Sequence, residues 1–120
     1  MAEKLKKFVI QEHSADSGTH WDLMLETRDI LQTYRLDKLP SNDPCHKINA
    51  IKIFDHPLKF LTYQGPVNKG KGRVEISHAG TYQITNQDSG LIELQLFSRT
   101  LNGTFILTQI TNDQWQFTKK

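Results

Sequence analysis

Apolar and polar side chains alternate along most of this chain with a period of two. That is the pattern of strands that turn one face to a core and the other away from it. Residues 21–26 show it plainly, with Trp21, Leu23 and Leu25 set against Asp22, Met24 and Glu26. Residues 30–36 repeat it, with Ile30, Gln32 and Tyr34 against Leu31, Thr33 and Arg35. The apolar run Phe8-Val9-Ile10 centres a strand over 7–12, and a fourth strand is expected over 50–54. The second half predicts short strands at 73–77, 81–85, 91–98, 104–110 and 114–118. Turn formers stand between them: His78-Ala79-Gly80, Gln87-Asp88-Ser89-Gly90, Leu101-Asn102-Gly103 and Asn112-Asp113. Asn102-Gly103 is the strongest hairpin signal, because both residues tolerate positive φ. Breakers over 40–46 mark a loop, Asp55-His56-Pro57 is expected to interrupt strand pairing, 58–63 reads as a short helical turn, and 65–72 reads as a glycine- and lysine-rich loop. The expected fold is all-β: a small single-domain β-barrel with short helical turns, covering residues 1–120.

Composition narrows the class without altering that picture. A chain of 120 residues supports one domain around one core. The formal net charge of +2 excludes a strong basic field, although Lys69, Lys71 and Arg73 fall close together. Cys45 is the single cysteine, so neither an internal disulfide nor a cysteine-rich zinc module can form. No apolar run approaches the roughly 20 residues of a membrane helix, and the N-terminal lysines have no apolar segment behind them. A cytoplasmic monomer without membrane contact is expected.

Chemistry concentrates in the stretch from His13 to Glu26. The period of two places His20 and Asp22 on one strand face. The turn Asp16-Ser17-Gly18 can fold His13 back beside His20, and inward-facing positions would let all three converge. Imidazole nitrogens and a carboxylate meeting at one point make a divalent-metal site with positions left open for substrate. The bland alternative is a structural hydrogen-bond network among the same three side chains. Trp21 alternates out of phase with His20 and is read as core, as are Trp115 and Phe117. His46 and His78, in loop and turn contexts, are read as solvated, and Cys45, in a polar loop without a local base signature, is given no catalytic role.

Six segments widen the view: Phe8-Val9-Ile10-Gln11-Glu12-His13, His20-Trp21-Asp22-Leu23, Lys38-Leu39-Pro40-Ser41, Asp55-His56-Pro57-Leu58, Tyr63-Gln64-Gly65-Pro66 and Gly80-Thr81-Tyr82. In this order, and with the Leu101-Asn102-Gly103 hairpin after them, they resemble the 3′-phosphoesterase domain of bacterial and archaeal DNA ligase D. The chain looks like a divergent, stand-alone branch of that family. The resemblance implies a small β-barrel with a concave active site on one side. It implies an enzyme that trims DNA 3′ ends, removing a terminal ribonucleotide and then a 3′-phosphate, with manganese as the expected divalent metal and zinc as the alternative. It further implies His13, His20 and Asp22 as metal ligands, His56 as the catalytic histidine at the scissile phosphate, and Lys38 near that phosphate.

The departures from the family pattern are specific. Met24 stands where the family places an arginine, Phe60 where it places a tyrosine, Phe54 where it places a glutamate and Ile48 where it places a second arginine. Met24 offers no donor to a phosphate. Lys71 and Arg73, with Lys69, are candidates to restore substrate-binding charge, and Arg35 is another. Trp21 and Tyr63 are candidates to stack on a base. Two functions compete: a manganese-dependent 3′-phosphodiesterase and phosphomonoesterase of weakened or lost activity, and a non-catalytic domain that binds DNA ends or a repair partner. Separate ligase and polymerase repair proteins are the expected partners of either. A third pattern, the iron triad of β-fold oxygenases, is imitated by His20-x-Asp22 with His56, but no histidine follows His78 on the late strands where that triad needs one.

Overall fold

The strands run well beyond their apolar centres in the computed structural model, which describes residues 5–120. Among the described residues they number nine: β1 (Lys6–Ala15), β2 (Gly18–Thr27), β3 (Ile30–Leu36), β4 (Lys47–Pro57), β5 (Gly65–Val67), β6 (Gly72–Asp88), β7 (Leu91–Ser98), β8 (Gly103–Gln109) and β9 (Gln114–Lys119). They form one antiparallel sheet in the order β1-β2-β3-β4-β9-β8-β7-β6-β5. β1 also pairs with β6, from Lys6 opposite Tyr82 to Ala15 opposite Gly72, so the sheet closes into a ring and β5 remains as a fringe on β6. The chain is all-β, as expected, and closure removes most of the unpaired strand edge. No helix among the described residues is long and apolar enough to cross a membrane.

The ring is filled by one alternate set of side chains. Phe8, Ile10, Leu23, Leu25, Tyr34 and Leu36 meet Leu94, Leu96, Phe105, Leu107 and Phe117 in the main core. Trp21 and Trp115 pack against this core, as their strand phase predicts. Phe105 and Phe117 stack at 5.2 Å between centroids. Burying one such leucine or phenylalanine stabilises the fold by about 1.5–3 kcal/mol.

The opposite face of β1, β2 and β3 is not left to water. Val9, Met24 and Leu31 form a second buried cluster, roofed by Leu58, Phe60 and Leu61 of a 3₁₀ turn (Leu58–Leu61) and flanked by Ile76. Strands buried on both faces read as continuous apolar runs, which accounts for Phe8-Val9-Ile10 and Leu23-Met24-Leu25.

Three local expectations are corrected. No turn forms at His78-Ala79-Gly80, because β6 runs unbroken through it. The register of β1 against β6 shifts there instead, between Ile10 and Gln11, so the signal marked a bulge. Gly80 is needed for close approach, since a Cβ would lie 2.0 Å from the Phe97 carbonyl oxygen. The strand does not end at Asp55-His56-Pro57 either: β4 continues to Pro57 with His56 opposite Leu31, and the expected interruption is a bulge in the pairing with β3, between Leu31 and Thr33. The 65–72 segment is no simple loop but contains β5 and a second 3₁₀ turn (Asn68–Gly70).

Candidate functional site

The β1–β2 hairpin builds the site locally. Asp16 and Ser17 form its loop, and Gly18 follows at φ +131°, a value that favours glycine. This register sets His13 directly opposite His20, and Gln11 opposite Asp22. His13 Nδ1 and His20 Nε2 lie 3.2 Å apart. His20 Nε2 is 3.3 Å from Asp22 Oδ1, and His13 Nδ1 is 4.0 Å from Asp22 Oδ2. The three side chains do not point inward. They share the face of Val9 and Met24, outside the ring, whose interior receives Phe8, Ile10, Leu23 and Leu25 from β1 and β2.

This donor set fits a divalent cation. Two ligand nitrogens each about 2.1 Å from one ion stand about 3.0–3.4 Å apart at tetrahedral or octahedral angles, close to the separation found here. Ligand atoms of all three residues fall within 4.8 Å of one another. Asp22 is 3% exposed, and its Oδ1, although 3.3 Å from His20 Nε2, accepts no well-aligned hydrogen bond, a costly state for a carboxylate unless a positive charge sits beside it. Burial holds the pKa of His13 below 6.5, and His20 lowers it further against a smaller opposing effect of Asp22. The ring is therefore neutral at neutral pH, the form that binds metal.

Gly72 at the start of β6 decides which nitrogen His13 presents. A Cβ at Gly72 would lie 2.9 Å from His13 Nε2 and 3.3 Å from the Ser14 carbonyl oxygen. The His13 ring packs edge-on into the space left by that missing methyl, with Nε2 buried and Nδ1 turned towards His20. Gly72 was visible in the sequence only as part of a glycine-rich segment.

Beside the cluster opens a hollow of about 290 Å³ whose walls include His13, Asp22, Arg35, Phe54 and His56. His56 reaches it through an irregularity in β4. Leu31 faces His56 and Thr33 faces Ile53, so Phe54 and Asp55 together oppose Gln32. Simple alternation would set Ile53 and His56 on opposite faces, whereas the bulge lets Ile53, Phe54 and His56 all line the hollow. The His56 ring is stacked on Phe54 at 4.9 Å and edge-on to Phe60 at 5.6 Å. Burial lowers its pKa, and Asp22 opposes that shift.

Thr33 holds the other end of His56. Its Oγ1 lies 2.8 Å from His56 Nδ1 and donates to the Leu31 carbonyl oxygen at 3.1 Å. The arrangement that satisfies the Thr33 hydroxyl runs from His56 Nδ1–H to its oxygen and from its hydrogen to that carbonyl, and the Phe54 backbone is a further partner of the ring that raises its pKa against the effect of burial. In that tautomer Nε2 carries the lone pair. Gln11 braces the roof, donating from Nε2 to the backbone oxygens of Phe60 and Tyr63 at 2.8 and 3.0 Å.

The remaining sequence candidates are distributed unevenly. Arg35, opposite Asp22 on β3, is the one lysine or arginine among the described residues lining the hollow, and none of the ion pairs among the described residues uses it. Lys38 lies exposed just past β3, away from the hollow walls. Lys71 and Arg73 line a separate shallow groove with Ser14 and Asp16, and Arg73 Nε lies 3.5 Å from Glu75. Met24 and Phe60 belong to the second apolar cluster and Ile48 to the main core. Tyr63 is not a free platform, since its hydroxyl donates to the Pro66 carbonyl and its ring meets Phe60 edge-on. His46 is exposed beside Ser41 and Asp43, as expected. His78 is half-buried, bridging Thr100 Oγ1 at 2.6 Å and the Pro40 carbonyl at 3.2 Å, so the solvated reading of it is corrected.

Fold and site together define an all-β domain with a two-imidazole, one-carboxylate cluster beside a histidine-bearing hollow on the outer face of its sheet. A family model for the DNA ligase D 3′-phosphoesterase domain matches residues 11–109. The chain is 32% identical over 116 residues to a multifunctional non-homologous end joining protein LigD of Mycobacterium bovis, covering 90% of this chain and 15% of that protein. A LigD non-homologous end joining DNA repair protein of Mycobacterium tuberculosis matches equally, and LigD of Pseudomonas aeruginosa is 33% identical over 66 residues, 55% of this chain and 8% of that protein. The chain belongs to the DNA ligase D 3′-phosphoesterase domain family. It spans about 15% of the length of the mycobacterial relatives.

Proposed function

We propose that this chain is a divalent-metal-dependent phosphoesterase that processes DNA 3′ ends, removing a terminal ribonucleotide or a 3′-phosphate. The observation that carries the reading is the convergence of His13 Nδ1, His20 Nε2 and the Asp22 carboxylate beside a hollow that also contains His56. His13, His20 and Asp22 would hold the cation, with manganese suited to the mixed nitrogen and oxygen set and zinc its competitor. Bound there, the cation would neutralise phosphoryl charge and lower the pKa of a coordinated water. Arg35 supplies the positive charge that Met24 does not, directed at a phosphoryl oxygen in the hollow. His56 Nε2 carries the mobile proton: neutral in the free protein, it gains a proton beside an anionic phosphate and yields it to the leaving oxygen. A positioned acid of this kind is worth about 10²–10⁴-fold in rate. Lys38, Lys71 and Arg73, outside the hollow, would meet the DNA backbone leading to it. Synthesis and joining would fall to ligase and polymerase activities in other proteins or other segments.

A non-catalytic reading competes through one observation. Met24 and Phe60 are packed in an apolar cluster at positions where the family pattern places phosphate-site donors. The test is incubation of the pure protein and manganese with primers ending in a 3′-ribonucleotide or a 3′-phosphate. Release of nucleoside and phosphate, abolished in His13→Ala and His56→Ala, is the expected result. Salt-sensitive DNA binding without release at any metal concentration selects the non-catalytic reading, and absence of both removes the two together.

A further inference from the structure

We propose that Phe54 is a stacking platform for the terminal base of the 3′ end held in the hollow, and so selects which ends the site accepts. The inference rests on the end-processing reading and adds a contact with the base. Phe54 is the most exposed large apolar side chain among the described residues, at 73%. It is not a stray surface residue, because the β4 bulge turns it to the mouth of the hollow that Ile53 and His56 also line.

One face of the Phe54 ring lies on His56 at 4.9 Å with planes 18° apart, which leaves the other face for a ligand. The platform is backed rather than loose, since His56 is fixed in turn by Thr33 and Phe60. Arg35 lines the same hollow. An open aromatic face and an unpaired guanidinium at one cavity are the two contacts a terminal nucleotide takes, base on ring and phosphate on cation. Stacking is tolerant of base identity because every base has a π-face, so the selection is for an unpaired terminal base against an abasic end.

The test uses the full chain with manganese and a single strand ending in 2-aminopurine with a 3′-hydroxyl, a product end on which no phosphate remains to be removed. Binding is expected to quench the aminopurine fluorescence. Affinity is expected to fall about 5- to 150-fold when the terminal nucleoside is abasic. Phe54→Ala should lose both the quench and the discrimination, Phe54→Trp should keep both, and a melting curve for each variant confirms folding. Equal affinity of the wild type for basic and abasic ends, or undiminished discrimination in Phe54→Ala, overturns the platform. Phosphate release from 3′-phosphorylated abasic ends at the rate of intact ends also overturns the platform while leaving the end-processing reading in place. Failure of the strand to bind at all overturns the platform, while the end-processing reading stands or falls separately on release from 3′-phosphorylated ends.

Discussion

Thr33 has one hydroxyl hydrogen, and its use on the Leu31 carbonyl leaves the Thr33 oxygen to accept from the His56 ring at Nδ1. Thr33→Val keeps the shape and removes the acceptor. It should lower kcat more than it raises KM, by about 10-fold or more, and shift the acid limb of the pH–rate profile. Thr33→Ser should restore most of the loss, and steady-state kinetics of both variants across pH distinguish a positioning role from plain destabilisation. Because Thr33 is fully buried, Thr33→Val should also change stability by about 1 kcal/mol, read by urea unfolding.

At the scale of elements, the site is an agreement between three strand pairs. The β1–β2 register brings His13, His20 and Asp22 together, the β3–β4 bulge delivers His56, and the β1–β6 pairing lays Gly72 against His13. Gly72 therefore belongs to the site although it has no side chain. Gly72→Ala would put a methyl 2.9 Å from His13 Nε2 and 3.3 Å from the Ser14 carbonyl oxygen, so the His13 ring or the strand beneath it must shift. Manganese affinity measured by calorimetry should drop by about 10-fold or more, the usual range for a disturbed supporting contact, while the fold survives. An unchanged affinity would show that Gly72 does not set the position of the His13 ring. His78 performs a comparable task elsewhere, tying β6 to the 37–46 segment through Pro40 and to Thr100.

Over the whole molecule, His13, His56 and His78 share one electrostatic condition: burial lowers each pKa below its ordinary 6.5. Folded, they resist protonation; unfolded, they accept protons near pH 6.5. The unfolded chain thus binds more protons between the lowered values and 6.5, and stability falls as pH drops through that window. Thermal melting of the metal-free protein should show a higher Tm at pH 7.5 than at 5.5, with the loss reduced in His78→Gln. Metal works in the opposite direction. Manganese at about 100 times its Kd should stabilise the wild type by about 2.7 kcal/mol and leave Asp22→Ala almost unmoved, compared by melting with and without chelator. The ring interior sets the scale for such effects: Leu107→Ala in the main core should cost about 2–5 kcal/mol, read by chemical unfolding.

Strand alternation and turn chemistry, both properties of neighbouring residues, sufficed to name the all-β class, the placement of Trp21, Trp115 and Phe117 against the core, and the hairpin that faces His13 with His20. They could not say which face is inside where a strand is apolar on both. β1 and β2 carry apolar residues on both faces, and only ring closure through β1–β6 turns Phe8 and Ile10 inward and leaves Val9, His13 and Asp22 outside. Nor could they foresee bulges, which are settled by pairing across long sequence distances: the Asp55-His56-Pro57 signal read as a break and His78-Ala79-Gly80 as a turn, yet both lie within continuous strands. The clustering of His13, His20 and Asp22 is a local fact of one hairpin. Its company of His56, Arg35, Phe54 and Gly72 comes from strands far apart in the chain, and it took the closed sheet to assemble them, because a side chain's direction depends on the partner its strand finds.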